Sequence, residues 1–138
     1  MLTSKQIDEH QLHGTQPVLQ VADVAAAIAY YRDLLGFEVD FVSGEPPMHA
    51  RVSSGERDTA SAARLRLVPF EGGGARPDRG YFWTHVGKDL DGLYGKYCDA
   101  GAEIVSPPTD RPWGLRDFRL RDPDGHLHCF AAELEQPR

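Results

Sequence analysis

The chain lacks any apolar run near the roughly 20 residues a membrane-spanning helix takes, so it is not read as a transmembrane protein. It has only two cysteines, Cys98 and Cys129, 31 residues apart and in no C-x-x-C pair. That usage argues against a disulfide scaffold or a zinc finger and suits a reduced compartment. Basic charge is short as well: 15 Lys and Arg stand against 21 Asp and Glu, a net charge of −6. A nucleic-acid surface needs a basic patch to displace counterions, so that partner is set aside. The opening stretch, MLTSKQIDEHQLHG, has no apolar signal-peptide core and predicts a cytoplasmic protein. No nucleophile elbow, phosphate-cradling loop or dinucleotide fingerprint is present. Gly72-Gly73-Gly74 has neither a preceding strand nor a following Lys-Ser. What remains is 138 residues, 41% of them hydrophobic, enough for one domain that needs no staple.

The most informative feature that is present is a repeat. DVAAAIAYYRDLLG, from Asp23 to Gly36, and DLDGLYGKYCDAG, from Asp89 to Gly101, share one plan. Each opens on Asp, which can cap orphan amides, and closes on Gly, which takes a left-handed C-terminal cap. Between them apolar residues recur at helical spacing: Val24, Ile28, Tyr31 and Leu35, then Leu90, Leu93 and Tyr97. A strand-like run precedes each helix, PVLQV at 17–21 and YFWTHV at 81–86. Another follows, FEVDFV at 37–42 and AEIV at 102–105, and then a double proline, Pro46-Pro47 and Pro107-Pro108. Two more strands are predicted in each half, near 48–53 and 62–68, and near 115–121 and 126–133. Asp122-Pro123-Asp124-Gly125 supplies the last turn. The period of about 65 residues predicts two βαβββ modules, 16–70 and 81–133, joined by the linker EGGGARPDRG at 71–80. The fold class is α+β. The helices would cover one sheet face and leave the other for a cleft.

Aromatic residues are few, 9%, but Tyr81, Trp83 and His85 alternate along one strand and so share a face. Trp113 sits in the Pro112-Trp113-Gly114 loop, and Phe37, Phe41 and Met48 offer apolar surface in the first half. Flat rings hold planar ligands by stacking and cations through their quadrupole. The histidines read as structural. His126 and His128 share a face with Phe130, which predicts packing against a helix, with Cys129 on the opposite side. His10 and His13 lie in a polar terminal stretch, and His49 is placed in a loop beside the first double proline. Asp117 and Glu103 could form an acid/base pair, but nothing in the sequence brings them together.

VLQVADVAAAIAYYRDLLGFEVDF resembles the opening strand and helix of the vicinal-oxygen-chelate superfamily, and RDPDGHLHCF its closing turn and strand. That superfamily includes glyoxalase I, extradiol dioxygenases, fosfomycin-resistance enzymes and bleomycin-resistance proteins. The likeness covers residues 16 to 133 and is closest to the bleomycin-resistance proteins through QPVLQVADV, WTHV, DLDGLY and PWGLRDFRLRDPDGHLHCFAAE. It implies paired βαβββ modules around a pocket. It also implies a homodimer, often with a strand or module exchanged, whose pockets are built from both subunits.

Metal-dependent members place four ligands on inward-facing strands. Carried over, those positions fall on Gln16, on the strand ARLRLV at 63–68, on Tyr81 or Phe82, and on Cys129. Only Gln16 suits a divalent ion, so no metal and no cofactor is expected. In the bleomycin-resistance proteins the drug lies in a groove of rings and acidic groups. Trp83 and Trp113 match aromatic positions there, and His85 stands where a ring is common. The resemblance thus implies a metal-independent dimeric binder of a small aromatic or cationic molecule, with Trp83, His85, Trp113, Tyr81, Phe41 and Cys129 at the ligand. Sequestration of a bleomycin-type antibiotic is the function expected. The alternatives are a metal-dependent lyase or dioxygenase of the same superfamily, and a ligand-sensing or interaction module. The region 44–61, GEPPMHARVSSGERDTAS, departs from the bleomycin pattern.

Overall fold

The computed structural model describes residues 15–54, 62–70 and 81–134. The linker at 71–80, its glycine run, His10 and His13 lie outside them. The order is β1 (Val18–Val21), α1 (Val24–Ala29), β2 (Glu38–Ser43), β3 (His49–Ser54), β4 (Ala63–Pro69), β5 (Phe82–His85), α2 (Leu90–Asp99), β6 (Glu103–Asp110), β7 (Leu115–Arg121) and β8 (Leu127–Glu133). The strands form two four-stranded mixed sheets, β1-β4-β3-β2 and β5-β8-β7-β6, with the same topology. The repeat is therefore a repeat of structure. In each sheet the first strand runs parallel to the last, and the other pairs are antiparallel.

Both predicted caps form. Asp23 accepts from the Ala26 amide at 3.2 Å, and Asp89 from that of Gly92 at 3.1 Å. Gly36 and Gly101 close the helices at φ +81° and +94°, where a side chain would be strained. The first helix departs from the regular one predicted over 23–36. It widens into a π-helical turn over Tyr30–Leu34, with Leu35 N donating to Tyr30 O at 3.2 Å. At that turn Tyr31 reaches across to the second module.

Two strand boundaries also differ from expectation. His49 begins β3 and is not in a loop. The strand predicted at 102–105 continues to Asp110, straight through Pro107 and Pro108. It can because β6 is an outer strand whose ladder is irregular between Ser106 and Thr109, where missing N–H groups break little pairing. Pro17, by contrast, stands just ahead of the edge strand β1, where its missing N–H breaks no ladder bond.

One continuous core spans both modules, from Leu19, Val52 and Leu67 in the first to Leu120, Phe118 and Phe130 in the second. The helix-side faces of the two sheets look inward on it. Across the seam, Tyr31 Oη lies 2.7 Å from Asp122 Oδ2 and 2.8 Å from His128 Nε2. Tyr97 Oη donates to Leu35 O at 3.1 Å, and Ala22 N to Asp124 Oδ1 at 2.9 Å. His128 thus packs against a helix as predicted, though the helical segment is that of the other module. Among the described residues no helix covers the opposite, open faces of the two sheets. No helix among the described residues is long and apolar enough to cross a membrane.

Candidate functional site

Strand alternation and register build the open face of the second sheet. Phe82 turns in toward His128, so Tyr81, Trp83 and His85 turn out. Trp83 is opposite Cys129 on β8, and Cys129 is opposite Arg119 on β7. Trp83 is 50% exposed and Tyr81 49%, so neither is a core residue under α2. His85 stacks on Trp83, with ring centroids 6.2 Å apart and planes 15° from parallel. Four of the six expected ligand residues, Tyr81, Trp83, His85 and Cys129, therefore lie on one face.

The other two stand elsewhere. Phe41 is on the open face of the first sheet, beside His49 and under the guanidiniums of Arg51 and Arg66 at 5.8 and 5.6 Å. Trp113, 64% exposed, is at the tip of the β6–β7 hairpin. Trp83 is level with Arg119, six residues along from Trp113, and no ring contact joins the two indoles. The hairpin tip is pinned by Arg111, which reaches Asp117 Oδ1 at 2.9 Å. Asp117 in turn faces Thr109, and Glu103 faces Arg121, so these two acids make no catalytic pair.

Sequence reading missed the arginines. Arg64 and Arg66 alternate with the core residues Leu65 and Leu67 on β4, a signal visible in ARLRL. Arg66 donates to Gln16 Oε1 at 2.9 Å. Arg119 reaches across β8 to lie 5.0 Å over the ring of Tyr81. A cavity of 620 Å³ between the two sheets is lined by Gln16, Arg64, Tyr81, Trp83 and their neighbours.

These residues do not fit a divalent metal. The Gln16 carbonyl oxygen is taken by Arg66, and β4 presents Arg64 and Arg66 where an acid would be needed. Tyr81 lies under a guanidinium. Burial pushes the Cys129 thiol up, with Asp117 adding to the effect, so it stays protonated and is a poor ligand. Among the described residues no three His, Cys, Asp or Glu side chains converge.

The sequence matches the profile of the Glyoxalase/Bleomycin resistance protein/Dioxygenase superfamily over residues 12–130. The chain belongs to that superfamily. Its fold is shared with many solved structures. A superfamily member from Sphaerobacter thermophilus is 25% identical, with a TM-score of 0.69 over 88% of this chain and 98% of that one. TioX from Micromonospora is 24% identical, with a TM-score of 0.64 over 88% of this chain and all of the other. The bleomycin-binding protein of the bleomycin producer Streptomyces verticillus, complexed with copper(II)-bleomycin, is 27% identical. Its TM-score is 0.63, over 91% of this chain and 98% of that one. A comparison with curated proteins returns no significant match.

Proposed function

We propose that this superfamily member is a metal-independent dimeric protein that binds a small planar aromatic molecule and acts by sequestering it. The observation that carries the reading is the half-exposed shelf of Tyr81 and Trp83, with His85 stacked on Trp83, at a cavity between the modules that the first two line. Large exposed rings grouped at a cavity are what a stacking site needs, and a core does not leave them there. The bleomycin-binding neighbour makes a drug of that kind a reasonable ligand class to test. Dimerisation is supported by the open sheet faces, which leave Phe41, Tyr81 and Trp83 uncovered in one chain. A second copy would cover them and complete each pocket.

Two outcomes are expected. The purified protein should sediment as a homodimer at micromolar concentration and retain well under one equivalent of zinc, nickel, iron or manganese. A clean monomer would remove the dimer, and stoichiometric bound metal would favour the lyase or dioxygenase reading. Trp83→Ala should weaken binding of a stacking ligand by about 1–3 kcal/mol. Its stability should change little, because β5 is an outer strand and the indole is half in solvent. A ligand titration beside a denaturation curve checks both. Trp113→Ala should leave tryptophan quenching by the ligand intact, because Trp113 stands apart at the hairpin tip.

A further inference from the structure

We propose that the cavity between the sheets selects a planar aromatic ligand that carries a carboxylate or a comparable oxyanion. This rests on the reading of Tyr81 and Trp83 as a ligand platform and adds the charge of what lies on it. The chain is acidic overall, yet the two central strands of its first sheet carry three arginines, Arg51, Arg64 and Arg66, and no acid. Arg51 is matched by Asp40 at 2.9 Å. Arg66 has no carboxylate among its described partners, which are Gln16, His49 and the ring of Phe41. Arg64 has a partner of its own and lines the cavity in company with both rings of the shelf.

The second sheet adds a further cation at the shelf. Arg119 lies over Tyr81, beside the cavity, and its Nε is buried without a hydrogen bond among the described residues, so only its terminal N–H groups are open to a ligand. Among the described residues its paired acid is Asp117, 3.8 Å away, which already holds Arg111 at 2.9 Å. A guanidinium over a ring uses its face and keeps its terminal N–H groups for an acceptor in the plane. A carboxylate there gains charge-assisted hydrogen bonds, whereas an ammonium ligand meets like charge. The aromatic ring of such a ligand would lie on Trp83, with its acid toward Arg64 and Arg119.

The test is calorimetric titration with three isosteric probes: 2-naphthoate, 2-naphthamide and 2-naphthylmethylammonium. Naphthoate should bind at least about tenfold tighter than naphthamide, the usual worth of a hydrogen bond to a charged group, and the ammonium should bind weakest. Arg64→Gln and Arg119→Gln should each remove most of that preference and spare naphthamide binding, with melts by circular dichroism reporting the fold. Should Arg119→Gln fail to fold, Arg119→Lys keeps the charge and should retain part of the preference. Equal affinity for all three probes, or a preference for the ammonium, overturns the charge assignment and leaves the aromatic shelf standing. No binding of any probe, or binding unaltered by Trp83→Ala in a folded protein, overturns the shelf and the charge assignment together.

Discussion

Lowering the pH from 6.5 to 4 should destabilise the folded chain by about 3 kcal/mol through one side chain, His128. The ring is buried at the seam between the modules, and burial, with His126 adding, lowers its pKa from 6.5 to about 4. The hydrogen bonds fix its proton. Burial and then Asp122 push the Tyr31 phenol well up, so it stays protonated. Its O–H must donate to Asp122 Oδ2, because a carboxylate can only accept. Tyr31 Oη can then only accept from His128, which therefore holds its proton on Nε2. Above pH 6.5 folded and unfolded histidine are both neutral and the full stability is present. Between 6.5 and 4 the unfolded chain binds a proton that the native seam excludes, so stability falls as pH falls. Denaturation curves across that range should show the slope, and His128→Gln should flatten it. An unchanged slope in that variant would place the titrating group elsewhere.

Asp122→Ala should destabilise the protein by about 3–5 kcal/mol, the range for orphaning several partners of one buried acid. Asp122 is buried and accepts from the amides of Asp124 at 3.0 Å and His126 at 2.8 Å as well as from Tyr31. It thus builds its own turn and ties that turn to the other module. Asp122→Asn should lose far less. Its oxygen can keep the two amides, and its NH₂ can donate to Tyr31 if that hydroxyl turns its proton to His128 and the imidazole moves its own proton from Nε2 to Nδ1. Urea denaturation of both variants decides this. If the two lose equally, the turn amides are carrying little and the loss belongs to the carboxylate oxygen that accepts from Tyr31.

Both results concern residues whose sequence context announced a turn but not a partner. DPDG was legible as a tight turn because its residues suit that backbone, and the turn is there. That its first Asp meets Tyr31, 91 residues earlier, was not legible, because no local pattern encodes a contact between modules. The same division runs through the candidate site. Alternation along β5 is a local property, and it puts Tyr81, Trp83 and His85 on one face from the residue order alone. It does not show that β5 lies at a sheet edge or that Trp113 stands apart from Trp83. Strand order and hairpin length decide those.

By itself the sequence determined the two-module plan, the helix caps and which strand residues share a face. Each of these depends on neighbours a few residues away and on backbone stereochemistry. Only the tertiary structure decided that the helix sides of both sheets meet in one core. Only it brought Arg119 across β8 onto Tyr81 and set Arg64 beside the same rings. Those placements follow from how two sheets pack, which depends on the sum of all the apolar surface they bury and on no single motif.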